Sequence, residues 1–155
     1  MARDIDVRYT ASPWFPPGPV TYAEVLIPDF TIKGSVQFLI NTASPYSCLL
    51  PAAMEQLLYP LGISVGDFVS RIQSQGKQGR NFQCVGGVCR FIPMSGFVTF
   101  RRIDVKDSLM MELNPYIAEP TTHNSKLLSF LGRDILNKFR ISLDYQSGRA
   151  KLTPH

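Results

Sequence analysis

The chain has 155 residues, 45% of them hydrophobic and 18% charged, with a net charge of +4. That length suits one domain with a real core, and the composition excludes a disordered chain. The cations are scattered, with only Arg101 and Arg102 adjacent, so they read as solvated surface and no nucleic-acid partner is expected.

No run of eighteen or more apolar residues occurs, so no membrane-spanning helix and no membrane partner is expected. The first residues, Met1 to Asp6, lack an apolar signal core, and the expected location is cytoplasmic. The odd count of three cysteines fits a reducing compartment better than a disulfide framework. Cys-x-x-Cys is absent, and His123 and His155 lie far in sequence from the cysteines, so neither metal nor cofactor is expected. Twelve prolines and eleven glycines point to many turns and a β-rich chain.

In chain order, Asp4 to Tyr9 alternates polar and apolar residues and reads as a short edge strand. Pro13 to Pro19 must be extended, because proline fixes its own φ and restrains the residue before it. It reads as an arm anchored by Trp14 and Phe15, with a peptide ligand for another domain as the alternative. Residues 1–20 are thus an N-terminal arm and residues 21–155 the main domain. Strands are expected over Thr21–Ile27 and Ile32–Ile40. The second ends at four small or polar residues, Asn41-Thr42-Ala43-Ser44, before apolar residues resume.

Ala52–Tyr59 holds helix formers behind a proline and stops at Pro60 and Gly62. Val65–Gln73 has helical spacing, and Ser74–Arg80 is a polar loop. Asn81–Ile92 is the strongest hairpin signal, two β-prone runs flanking Gly86-Gly87. Cys84 and Cys89 sit on its two arms, read as thiols in preference to a cross-strand disulfide. Strands follow at Phe97–Arg101 and Leu109–Ile117, then a polar loop at Ala118–Ser125. Lys126–Leu131 is a strand running into Gly132, Arg133–Lys138 a short helix, and Arg140–Tyr145 with Arg149–Thr153 a closing hairpin.

An apolar run ending in Asn41-Thr42-Ala43-Ser44 resembles the active-site motif of the retropepsin-like aspartic proteases, where apolar residues precede Asp-Thr-Gly-Ala/Ser. Leu128-Ser-Phe-Leu131-Gly132-Arg133-Asp134 resembles that family's second segment, apolar residues followed by Gly-Arg-Asp/Asn. The resemblance runs from about Thr21 to Leu152. It implies a mainly β, closed, single-lobe retropepsin-like barrel with one or two short helices. It also implies a flap at Val85, Gly86, Gly87 and Val88 that closes over substrate. In the family's pattern Thr42 hydrogen-bonds across a two-fold axis to its mate, and Ser44 orients the catalytic side chain. Gly132 lets a strand pass close beneath the loop, while Arg133 and Asp134 are structural and join ion pairs.

The chemistry needs two carboxylates sharing one proton, one taking a proton from water and the other donating to the scissile carbonyl. One motif supplies one of the pair, so a homodimer with the site on its two-fold axis is expected. Its partner would be a peptide or protein substrate, gripped between apolar walls.

Asn41 is the departure. An amide does not titrate, so this chain is expected to be catalytically dead. Two explanations stand. One is an Asp→Asn inactivated form, favoured because asparagine is nearly isosteric with aspartate. The other is a natural pseudoprotease serving as a peptide-binding or dimerisation module, to which Ala43, standing where glycine is usual, lends weight.

Overall fold

The computed structural model describes residues 4–12, 15–84, 87–101, 108–144, 146–147 and 149–155. The fold is mainly β with a few short helices. Its strands are β1 (Ile5–Ser12), β2 (Phe15–Ile27), β3 (Ile32–Ile40), β4 (Cys48–Leu49), β5 (Arg80–Cys84) and β6 (Gly87–Pro93). They continue as β7 (Gly96–Arg101), β8 (Ser108–Leu113), β9 (Tyr116–Ala118), β10 (Ser129–Leu131), β11 (Phe139–Asp144) and β12 (Arg149–Pro154). Helices are α1 (Pro51–Leu58), α2 (Val65–Ser74) and α3 (Arg133–Leu136).

Strands β2 and β3 form because their apolar residues recur at every second position, which is the period of a pleated strand. Ala23, Val25 and Ile27 face inward from β2, and Ile32, Val36, Phe38 and Ile40 from β3. Tyr22, Glu24 and Leu26 face out. One edge of β2 pairs with β3 along Val20–Ile27. The other pairs first with β1, from Phe15 to Val20, and then with β7, from Ala23 to Leu26. A strand that changes partner partway along forks the sheet, and the core sits within the fork.

Both longer helices start at a local sequence signal, a proline for one and a capping serine for the other. Extended Leu50 precedes Pro51, the first residue of α1, a position where the missing N–H costs nothing. The Ser64 hydroxyl accepts from the Asp67 N–H at 3.1 Å to start α2, as an N-cap does. Between them the chain stops at Gly62, whose φ of +66° is left-handed and free of steric cost for glycine. Met54, Leu57 and Leu58 from α1 and Phe68, Val69 and Ile72 from α2 are buried in the core. Each such side chain contributes about 1.5–3 kcal/mol through burial.

The main strand path runs β11-β12-β1-β2-β3-β10-β4-β9-β6-β5, with β7 branching from β2 and β8 from β7. This corrects the expectation of a closed barrel: among the described residues the path has open ends at β11, β5 and β8. The fork at β2 diverts β7 and β8 away from either end. β1 is likewise no edge strand, because Ile5–Arg8 pairs with β12 and Arg8–Ser12 with β2. The proline-rich stretch lies partly in β2, where Gly18 and Pro19 pair with Thr10 and Tyr9. Trp14 lies outside the described residues.

Two further boundaries move. Leu109–Ile117 is two strands, because Asn114-Pro115 interrupts the ladder and proline cannot donate to it. In the hairpin, Cys84 pairs with Gly87 and Phe82 with Cys89. Cys84 and Cys89 therefore do not oppose each other. The connection falls at positions 85 and 86, one residue earlier than Gly86-Gly87. Those two positions lie outside the described residues. No helix among the described residues is long and apolar enough to cross a membrane.

Candidate functional site

The loop after β3 is held at both ends. The Asn41 N–H donates to the Leu131 carbonyl at 3.0 Å, continuing the parallel pairing of β3 with β10. The Ser44 N–H donates to the Asn41 carbonyl at 3.3 Å, closing a tight turn. Inside that turn the Asn41 side-chain Oδ1 accepts from the Ala43 N–H at 3.1 Å. A side chain that reaches its own backbone two residues on is how Asn and Asp favour turns. Ala43 is not among the residues with positive φ, so the turn takes an alanine Cβ without backbone strain.

Below the loop, β10 runs between β3 and β4, parallel to the first and antiparallel to the second. The chain then passes Gly132. A Cβ at Gly132 would sit 2.3 Å from the Tyr46 carbonyl oxygen and 2.8 Å from that of Ser44. Only glycine permits so close a crossing. The Arg133 N–H donates to the Ser44 carbonyl at 2.8 Å across this contact.

Ser47 completes the clamp. It is fully buried, and its hydroxyl donates to Asp134 Oδ1 at 2.7 Å. Its N–H donates to Asp134 Oδ2 at 3.0 Å, and its Oγ accepts from the Gly132 N–H at 3.0 Å. One carboxylate thus holds two donors from a residue 87 positions away. Hydrogen bonds to a charged acceptor are the stronger kind.

The sequence-expected residues divide accordingly. Asn41, Thr42, Ala43 and Ser44 form one turn, joined by Gly132 and the Arg133 backbone. Thr42 and Ala43 are exposed, and the Thr42 hydroxyl has no hydrogen-bond partner among the described residues. Ser44 does not orient Asn41; its hydroxyl donates to the Tyr46 carbonyl at 2.7 Å. Asp134 enters no ion pair among the described residues; it binds Ser47 and the Ile135 N–H. The Arg133 side chain is exposed. Of the flap residues, Val85 and Gly86 lie outside the described residues, Gly87 ends the ladder at φ +130°, and Val88 is exposed.

Beside the turn lies a cleft of about 460 Å³. Its floor comes from Ser44 to Cys48, its roof from Phe82, Gln83, Cys89 and Phe91 of the β5–β6 hairpin, and its far wall from Tyr116, Leu127 and Phe130. Among the described residues no charged side chain lines it. Tyr46 and Tyr116 meet edge to face at 5.1 Å, as do Phe82 and Phe91 at 5.3 Å and Phe82 and Tyr116 at 5.7 Å. Edge-to-face packing suits aromatic quadrupoles. These rings tie the hairpin to the loop.

Ser47 and Tyr46 are the site residues that sequence reasoning missed. Ser47 begins a short apolar run, and nothing local marks it as the partner of Asp134. Compared with known proteins, the chain matches no protein-family model and no curated protein.

Proposed function

We propose that the Asp form of this chain is an aspartic endopeptidase of the retropepsin-like kind. In that reading it works as a homodimer, and the chain carrying Asn41 is catalytically dead. The observation that carries the reading is the support under the turn at Asn41–Ser44. Gly132, Ser47 and Asp134 fix a short polar turn at the mouth of an apolar cleft roofed by a hairpin. The two segments resembling the family's motifs are the two that meet there.

The mechanism follows from residue 41. With aspartate there, a second copy facing it would place two carboxylates together. Like charges that close cannot both ionise, so one stays protonated. The ionised member takes a proton from water, and the protonated member donates to the peptide carbonyl. Extended peptide would lie between the hairpin and the turn, adding backbone hydrogen bonds as a new strand does. In this reading Thr42, which is exposed, would bond across the axis to its mate.

The test is Asn41→Asp with a peptide library assayed from acidic to neutral pH, with and without a pepstatin-type inhibitor. Inhibitable cleavage confined to the Asp form is the expected result. No cleavage at any pH in a confirmed dimer would sink the reading.

A second reading, a natural pseudoprotease that binds peptide or dimerises, is favoured by one detail. The turn is already satisfied with asparagine, whose Oδ1 takes the Ala43 N–H. It needs no carboxylate to hold its shape.

A further inference from the structure

Charge is unevenly distributed around the cleft. Phe68 to Ile103 holds Arg71, Lys77, Arg80, Arg90, Arg101 and Arg102 and no acidic residue. Phe30 to Met54, which includes the floor, also has none. The remaining wall, Tyr116 to Phe130, holds one acid, Glu119, and one base, Lys126. The cleft is uncharged inside, with the Asp134 carboxylate behind its floor at Ser47 and the cations Arg80 and Arg90 on its hairpin.

Arg80 is the best placed of these. It pairs directly with Phe91 in the hairpin ladder. Directly opposed residues share a face, and so do residues two apart on one strand. Arg80 therefore stands on the face that carries Phe82, Cys89 and Phe91 into the cleft. It is exposed and has no ion-pair partner among the described residues. A cationic rim beside an apolar pocket attracts a ligand with the complementary pattern.

We propose that the cleft selects extended peptides in which a bulky apolar side chain is flanked by acidic residues. The apolar side chain fills the space against Phe82 and Phe91, and a carboxylate two residues away meets the Arg80 guanidinium. Two residues along a strand span about 6.6 Å, matching the offset from Phe82 to Arg80. This rests on the peptide cleft named above but not on catalysis.

The test uses the chain as it stands. Fluorescence anisotropy would measure binding of short labelled peptides with a central Phe and Glu, Gln or Lys two residues to either side. The Glu peptide is expected to bind about fivefold tighter than the Gln peptide, as one exposed ion pair supplies. The gap should close in high salt. Arg80→Glu should invert the order of the Glu and Lys peptides. Arg140→Glu, on the exposed β11 edge at the other end of the strand path, should leave it unchanged. Equal affinities, an order that Arg80→Glu does not alter, or no binding would overturn the proposal. Selective binding without cleavage by Asn41→Asp would retain this inference and refute the protease reading. Cleavage by Asn41→Asp with no acidic preference would do the reverse.

Discussion

The Ser47–Asp134 contact matters most among single residues, because it sits under the candidate turn and its donors belong to the fully buried Ser47. Asp134→Ala would leave the buried Ser47 hydroxyl and N–H without their acceptor. An orphaned buried donor costs about 1–3 kcal/mol. Urea unfolding should show a lowered midpoint of that size with an unchanged slope. Asp134→Asn should recover part of the loss, since an amide oxygen still accepts one bond.

A second residue-scale test concerns Asp4, which ties the start of β1 to the end of the chain. The Thr153 hydroxyl donates to Asp4 Oδ1 at 2.6 Å, and Lys151 Nζ lies 3.2 Å from Oδ2. The Thr153 hydrogen bond, aided by Lys151, lowers the Asp4 pKa from its ordinary 3.8. A depressed carboxylate stabilises the fold above its unfolded pKa and loses that contribution as pH falls through the folded value. Asp4→Asn should therefore be less stable than the parent at neutral pH. The gap should narrow as pH falls below the ordinary 3.8 and close once pH has passed the lower folded value. Denaturation midpoints across pH 2 to 7 would read this directly, and a gap that persists at low pH would refute it.

At the scale of elements, the β5–β6 hairpin is joined to the sheet through β9 and to the loop through rings. Phe91 and Ile92 pair with Ala118 and Ile117, while Phe82 reaches Tyr46 and Tyr116. Phe82→Ala removes the ring contacts and leaves the β6–β9 ladder intact. Amide exchange in Arg80–Cys84 should speed up, while exchange in β2 and β3 stays as slow as in the parent. Equal acceleration throughout would mean that the hairpin does not open as a unit.

The elements were legible in the sequence wherever local chemistry decides them. Periodicity gave β3 its bounds, Pro51 and Gly62 marked α1, and helical spacing marked α2. The Gly-rich centre marked the hairpin, though not its register, which the ladder sets by pairing Cys84 with Gly87. The two-residue β4 was invisible, since it exists only through its neighbours β10 and β9. Similarly, the role of Asp134 read as an ion pair because sequence shows charge and not the buried hydroxyl that uses it. Proline at position 19 suggested an arm, yet an edge-paired strand also accepts proline.

For the whole molecule, the question is stoichiometry. The proposed site needs two copies, so the solution mass should be twice the 17.4 kDa of the chain. Static light scattering over a concentration series would read it. A monomer at the highest concentration leaves half a site and refutes the homodimer. The proposed dimer puts the exposed Thr42 and Ala43 at its contact, so Thr42→Arg should shift the equilibrium toward monomer without changing the thermal midpoint of the monomer.

The insertion of β10 between β3 and β4 also sets a schedule. As the chain leaves the ribosome, β3 and the turn emerge long before Ser129–Leu131, so the space between β3 and β4 waits empty for most of synthesis. Non-local pairing of that kind is entropically expensive and slow. The turn at Asn41 should be among the last parts to acquire its final shape, and nascent chains halted before Gly132 should carry it in an unlocked form that proteases cut readily.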